Sequence, residues 1–473
     1  MNRRGFIGKI LLAVLLSAFL PSQANSLLAF SEVEEAAESS AAQSTGAEEG
    51  LTLTTAVELA LLHNPLVRAT SSGRQIATAQ LGEARAGRWP LLQFNETFTH
   101  GNNPVFVFSS LLEQRRFSPE DFDIASLNNP DSLSNFRTAV TLKVPIFDQL
   151  ETGTRIALAR IGQDQADLQR ELVRQQIRFE VIRTYYGVLV AQAKKEVAKD
   201  AVRMAEADVR RIRDKFETGL VVQSDLLAAE VQLAEFGQQE IQAAGDLVTA
   251  GASLNTVLGL PVETPRKVVD QLVEKVFPLP EPKELVRLAL SHRPDYAQAN
   301  FTVRSSQEKV RGAWGQYLPK IDLFSSYGIS NPDLASGTPD YAVGAGLTYN
   351  LFDIGRSAKL DQARAAQSLA AAEKEHLANQ IRLEVIRAYQ QYLSARERLL
   401  LASRAVTQAE EALRIVRDRY EEGLIIITEV LRAHTAWVRA RLNLLAARYD
   451  YYVGYAHILL VSGRLTDVQP FVS

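Results

Sequence analysis

The sequence predicts a mainly α-helical fold with a small β contribution, built as two copies of a unit that joins two short strands to a very long helical hairpin. Three observations carry this. The segment IRFEVIRTY, Ile177 to Tyr185, returns as IRLEVIRAY, Ile381 to Tyr389, with seven identities in nine at an offset of 204. No proline interrupts Gly153 to Phe216 or Gly355 to Tyr420, and apolar residues recur there with helical spacing. Ahead of each stretch the hydrophobic period falls to two, the mark of strands with unlike faces.

The register holds well beyond that core. At the same offset KFETGL, Lys215 to Leu220, meets RYEEGL, Arg419 to Leu424, and Gly259 falls on Gly463. Upstream the offset becomes 229, where His63-Asn64-Pro65 meets His292-Arg293-Pro294 and Pro90 meets Pro319. The difference is an insertion, mostly Thr99 to Asn135, rich in Gly, Asn, Pro and Phe, with a short counterpart at Asn331 to Asp340. Both segments are expected to be loops between strands, the first facing outward.

At the N-terminus Arg3, Arg4 and Lys9 precede the apolar run Ile10 to Leu20, and Ser22-Gln23-Ala24 supplies small residues for cleavage, so residues 1–24 read as a secretory signal peptide. The run is about half the roughly 20 residues that a spanning helix needs. Arg3-Arg4 leaves both Sec and twin-arginine export open. Residues 25–50, rich in Ala, Ser and Glu, read as an acidic flexible linker. The chain has no cysteine, so packing or assembly must hold this exported protein, and a cysteine-linked lipid anchor is excluded.

Repeat 1 is expected over 51–265 and repeat 2 over 266–463, with a tail at 464–473. In each, a proline suited to a first helical turn, Pro65 or Pro294, opens a helix that ends before Pro90 or Pro319. Strands follow at about 91–99 and 135–147, where Leu92, Phe94, Phe98, Phe136, Val140, Leu142, Val144 and Ile146 alternate with polar residues. At about 320–329 and 341–352 Ile321, Leu323, Tyr327, Tyr341, Val343, Leu347, Tyr349 and Leu351 do the same. The hairpins are expected at 153–258 and 355–461, with tips at 216–225 and 420–429.

Leu158, Leu172, Phe179 and Tyr186 share one heptad position and Ile161, Leu168, Ile182 and Leu189 another, which predicts a coiled-coil seam interrupted by Gln165 and Gln175. Each long helix would reach roughly 90 to 100 Å. Its return helix covers about half of that, and the helix opened by Pro65 or Pro294 nearly completes the line.

A bilayer accepts strands only in a closed barrel, since no water satisfies an open edge there. Four strands do not close, whereas eight or more do, so identical chains must contribute jointly. Three would give about 12 strands, with dimer and tetramer also arithmetically open. One apolar and one polar face fit lipid outside and water inside. An exported coiled coil of purely structural purpose would explain the helices and leave the strands without a role.

A net charge of −3 and a pI near 6.2 remove the basic footprint of a nucleic-acid binder. There is no cysteine nucleophile, zinc-thiolate site, P-loop or HExxH, so neither an enzyme nor a cofactor is expected. His63 and His292 stand at equivalent helix breaks, a structural place, while His434 near the second tip is expected at a lumen-facing position.

The helix breaks LALLHNPLVRA (Leu59 to Ala69) and LALSHRPDYAQA (Leu288 to Ala299), the strand exits VPIFD (Val144 to Asp148) and NLFDIGR (Asn350 to Arg356), and the two tips recur in duplicated order over nearly the whole mature chain. In this the sequence resembles the TolC-like outer-membrane efflux family. The resemblance implies a homotrimer with a barrel of about 12 strands in the Gram-negative outer membrane, continued by an α-helical tunnel through the periplasm. It also implies a passive exit duct for efflux or type I secretion, with its tips against a periplasmic adaptor (membrane fusion protein) that is coupled to an inner-membrane pump.

At each hairpin turn Gly219 or Gly423 is expected in the left-handed conformation, with Ser224 or Thr428 capping the next helix. Leu220, Val221 and Val222, and Leu424, Ile425, Ile426 and Ile427, put apolar side chains at an exposed tip and suggest an adaptor-docking surface. The resemblance places Asp225, Tyr420, Glu429 and Arg432 at a periplasmic gate. Tyr420 and Asp225 match the tyrosine and aspartate of the family's interhelix link, and three copies of Glu429 would ring the entrance. Ile425 stands where the family has a gating arginine and Arg432 where it has a second acidic ring member, so a less cation-selective tip is expected.

Overall fold

The computed structural model describes residues 50–270, 275–333 and 337–471; the signal peptide and all but the last residue of the acidic linker lie outside them. The first repeat runs α1 (Leu53–His63), α2 (Pro65–Ala86), β1 (Leu91–Gly101), α3 (Pro104–Glu113), a 3₁₀ turn (Pro119–Phe122), α4 (Ile124–Asn128), β2 (Leu133–Asp148), α5 (Glu151–Glu217) and α6 (Gln223–Leu258). The second runs α7 (Pro282–His292), α8 (Pro294–Gly315), β3 (Lys320–Asn331), β4 (Thr338–Thr348), α9 (Gly355–Glu421) and α10 (Ile427–Val461). Gly50–Thr52 and Pro265–Val269 form a small unit of their own, closed by the parallel bridge between Leu51 and Val268.

Helices α5 and α9 are each 67 residues long, about 100 Å at 1.5 Å per residue. α5 begins at Glu151, ahead of the expected Gly153, because the Asp148 carboxylate accepts the Thr152 N–H at 2.7 Å and starts the helix. Gln149 and Leu150, both at positive φ, make the turn between strand and helix. In the second repeat Asp353 takes the Gly355 N–H at 2.8 Å. The aspartates of VPIFD and NLFDIGR thus share one task, converting a strand into a helix.

Two shorter helices line up along each long one. The Asn64 side chain accepts the Leu66 N–H and donates to Val257 O at 2.7 Å, so the start of α2 is fastened to the end of α6. In the second repeat Arg293 holds the equivalent place, donating to Val461 O at 3.3 Å and pairing with Asp295 and Glu384. Gly259 and Gly463 end α6 and α10 at φ +73° and +69°, and a Cβ there would come within 3 Å of the backbone at His63 or at His292 and Arg293. The positions demand glycine twice over, by conformation and by space.

Along the α5 seam Ile161, Ile182, Tyr186 and Leu189 are buried and Leu158, Leu168, Leu172 and Phe179 half-buried. Gln165 serves as a tie there: its side-chain amide donates to Thr302 Oγ1 at 3.1 Å and its backbone carbonyl accepts from the Gln298 side chain at 3.2 Å, joining α5 to α8. Gln175, also buried, donates to Glu171. The tail packs rather than trailing, with Leu465, Val468 and Phe471 buried and Phe471 in a ring cluster with Phe277, Tyr455 and Tyr186.

The strands form one antiparallel sheet in the order β1-β2-β3-β4, and neither β1 nor β4 has a partner on its outer edge among the described residues. β4 ends at Thr348, so Tyr349 and Leu351, expected within a strand over 341–352, lie beyond it. The 99–135 insertion is no plain loop, since it holds α3, the 3₁₀ turn and α4; Pro104 stands at the first turn of α3 behind the Asn103 cap.

Gly219→Ala, where positive φ is the sole penalty, is expected to cost about 1 kcal/mol, whereas Gly259→Ala, which also overlaps backbone, should cost at least about twice that. Thermal unfolding followed by circular dichroism compares them, and equal losses would contradict the joint.

Candidate functional site

The sheet has two chemically distinct faces. Register pairs Leu92 with Leu142, Phe94 with Val140, Phe98 with Phe136, Val144 with Leu323, Tyr327 with Tyr341 and Ile321 with Leu347, which puts these apolar side chains on one face. Phe94, Tyr341, Val343 and Leu347 are among the most exposed large apolar side chains in the chain. A patch of this extent marks a surface covered by something apolar. The opposite face carries Gln93, Asn95, Thr97, Thr141, Lys143 and an ion pair from Arg137 to Asp340 at 3.0 Å. Trp89, Trp314, Tyr317, Tyr349 and Phe352 are exposed where strands give way to helices, the place of an interfacial aromatic belt. The strands, 11 to 16 residues long, meet the roughly 9 to 11 needed to cross a bilayer.

The two hairpin tips close in the same way. At the end of α5 the Leu220 N–H returns to Lys215 O at 2.8 Å and Gly219 N–H to Phe216 O at 2.9 Å; Leu424 to Arg419 and Gly423 to Tyr420 repeat this at the end of α9. Gly219 and Gly423, each at φ +74°, make the left-handed step. The expected caps are not formed. Ser224 and Thr428 lie inside the return helices, whose first positions follow Val222 and Ile426, and those residues' backbone carbonyls take the Asp225 and Glu429 N–H instead. The backbone turn thus does the work assigned to hydroxyls.

Apolar tip residues divide by parity. Leu220, Val222, Leu424 and Ile426 point outward and are more than 60% exposed, while Val221 and Ile425 pack inward. The inward pair joins Val209, Ile212, Tyr420, Ile427 and Val430 in a single cluster drawn from α5, α6, α9 and α10, so the tips lie side by side on a shared core.

Of the four gate candidates, Tyr420 is buried, with Lys215 Nζ 4.2 Å above its ring and no hydrogen-bond partner for its hydroxyl among the described residues. Burial, then the charge of Asp225, pushes that hydroxyl up, so Asp225 is near without being bonded to it. Glu429 and Arg432 are exposed and pair with each other at 2.9 Å.

A cluster that the sequence reading missed lies just behind. Asp208, 5% exposed, pairs with Arg211 at 3.2 Å and with Arg417 of α9 at 3.5 Å, and Arg211 continues to Glu421 at 2.7 Å. Burial pushes the Asp208 carboxyl up, against Arg417 and Arg211, which hold it down. Its signal was a lone aspartate in the apolar stripe Ala205, Val209, Ile212. His434, expected toward a lumen, is fully buried between Phe236 and Trp437, with neither ring nitrogen hydrogen-bonded among the described residues. Its Nδ1 is 3.7 Å from Asp208, too long for a hydrogen bond. His63 and His292, by contrast, each place Nδ1 against the carbonyl one turn back, the structural role expected of them.

Comparison with known proteins agrees with this layout. The profile of the outer membrane efflux protein family matches residues 56–260 and 285–464. The chain is 23% identical over 442 residues to the proteases secretion protein PrtF of Dickeya chrysanthemi, spanning 90% of each. It is 25% identical over 320 residues to the outer membrane protein TolC of Vibrio cholerae, covering 64% of this chain and 71% of that one. The crystal structure of the Campylobacter jejuni CmeC outer membrane channel matches with a TM-score of 0.74 at 17% identity, over 87% of this chain and 85% of that one.

Burial, and secondarily Arg417, lowers the His434 pKa to about 4. The unfolded ring takes a proton near 6.5 and the folded ring resists until about 4, so stability falls as pH drops through that window. His434→Leu removes the term while Asp208 titrates in both proteins. The variant's advantage in unfolding free energy should therefore grow by up to about 3 kcal/mol between pH 6.5 and 4; a constant difference in chemical denaturation would refute this.

Proposed function

The chain belongs to the outer membrane efflux protein family, and from that premise we propose that it is a passive exit duct, a homotrimer whose barrel of about 12 strands crosses the Gram-negative outer membrane. The coupling of an open four-stranded sheet, apolar on one face, to two 67-residue helices in a single chain carries the reading. The edges of β1 and β4 then pair between copies, and the helices continue the bore into the periplasm.

In this reading the chain performs no chemistry of its own. Energy and substrate choice lie with an inner-membrane pump and the periplasmic adaptor coupled to it, and the adaptor meets the outward residues Leu220, Val222, Leu424 and Ile426 beside the glycine turns. A relative named for protease secretion and another for pyoverdine export support a duct that serves its pump's cargo, protein or small molecule.

The gate sits at the same end. Asp208, Arg211, Arg417 and Glu421 clasp the second hairpin to α5, and Asp225, Tyr420, Glu429 and Arg432 lie beside them. Arg432 neutralises Glu429 by direct pairing, so an acidic ring is blunted at its source.

Purified protein in planar bilayers tests the duct and its entrance together. Arg432→Asp should raise the cation-to-anion permeability ratio severalfold, and Arg211→Ala, which releases Glu421 from Asp208, should raise closed-state conductance. Unchanged selectivity would sink the role of Arg432, unchanged conductance that of the clasp, and absence of any channel the duct itself.

A further inference from the structure

Helix α3, in the insertion of the first repeat, is fastened to the polar face of the sheet at the strand ends remote from the long helices. Glu113 Oε2 accepts from Arg137 Nη1 at 3.2 Å and from Ser330 Oγ at 3.0 Å, and Gln114 Nε2 donates to Asn135 Oδ1 at 2.9 Å and to Ser134 O at 3.0 Å. Thr338 Oγ1 donates to Gln114 O at 3.4 Å. Asn135, Arg137 and Ser330 share the polar face by register, and Ser330 and Asn135 are buried beneath this contact. Arg115 at φ 53° ends the helix where glycine is usual, a strained step kept in place by these bonds.

The helix has two opposed stripes. Val107, Ser110 and Gln114 are buried, and half a turn away Val105 and Leu112 are exposed, at 76% and 49%, with Phe108 between them resting edge-on against Phe117. With the polar face inside a closed barrel, the exposed stripe points to the axis. We propose that this apolar stripe packs against α3 of the two other copies and closes the outer mouth of the duct, a second constriction far from the periplasmic tips. The proposal rests on the trimeric duct reading.

Dimensions single out the other copies as the occupant. Twelve strands about 4.8 Å apart and tilted about 40° give a backbone diameter of about 24 Å. Three helices each about 10 to 12 Å thick, packed in a triangle, need a circle of at least roughly that width before the wall's own side chains are counted, so they cannot avoid one another at the mouth. The insertion has no equally long counterpart in the second repeat, so one such helix per chain, three per barrel, is the full complement.

The chain lacks cysteine, which makes Leu112→Cys a clean reporter. In the membrane-extracted full-length trimer, a short bis-maleimide should link two copies of the Leu112→Cys variant into a covalent dimer, while Glu120→Cys, on the 3₁₀ turn, stays uncrosslinked. Val105→Asp with Leu112→Asp, checked by heat-sensitive trimer migration, should raise bilayer conductance about twofold or more by removing an apolar, dewetting constriction. An intact trimer in which the Leu112→Cys variant stays uncrosslinked, or in which the double variant leaves conductance unchanged, overturns the proposal. An unheated protein migrating as a monomer overturns the duct reading beneath it.

Discussion

An unpaired strand edge cannot rest in lipid, and the chain presents two of them, on β1 and β4. Among the described residues nothing pairs with those backbone groups, because the four-stranded sheet is too narrow to curl onto itself. Assembly is therefore a condition of the folded state in the membrane. The apolar face of the sheet adds the same demand from the side, since Phe94, Tyr341 and Leu347 find their solvent in hydrocarbon.

Everything below the sheet follows from having to leave it without breaking the bore. Asp148 and Asp353 end the extended backbone and cap a helix within a few residues, so each strand pair feeds directly into 67 residues of α5 or α9. A single return helix is too short to match such a length. The joint at Asn64 and Gly259, and again at Arg293 and Gly463, extends it with a second helix, and the lack of a Cβ lets the two ends touch.

Periodicity and repetition made the duplicated strand-hairpin unit legible, because both are properties of the chain alone. The glycine turns at the tips were legible for the same reason, as their left-handed step is local. What stayed hidden depended on neighbours. Ser224 and Thr428 looked like caps by residue type, but the turn's own carbonyls reach the N–H groups first. Pro104 looked like loop punctuation until Asn103 was seen to cap α3. His434 is polar by type and fully buried in fact, a place set by Phe236 and Trp437 on two other turns of helix. Asp208 was visible only as an oddity in an apolar stripe, since its partner Arg417 lies 209 positions away.

That pairing also explains why the two hairpins are unequal in more than sequence. In the first repeat Arg213 pairs with Glu230 of its own return helix at 2.9 Å, on the surface. At the offset of 204 these positions become Arg417 and His434. With histidine in the glutamate's place, the half-buried Arg417 finds no acid at the equivalent position of its own hairpin. Asp208 supplies it from α5 of the other repeat, and burial of His434 in neutral form lets the two repeats close over the pair. Two differences between the copies, Glu230 against His434 and Asp208 against Ala412, thus turn a bond within a hairpin into a bond between hairpins. The second hairpin is thereby held to the first by an ion pair of the kind that the first hairpin makes within itself.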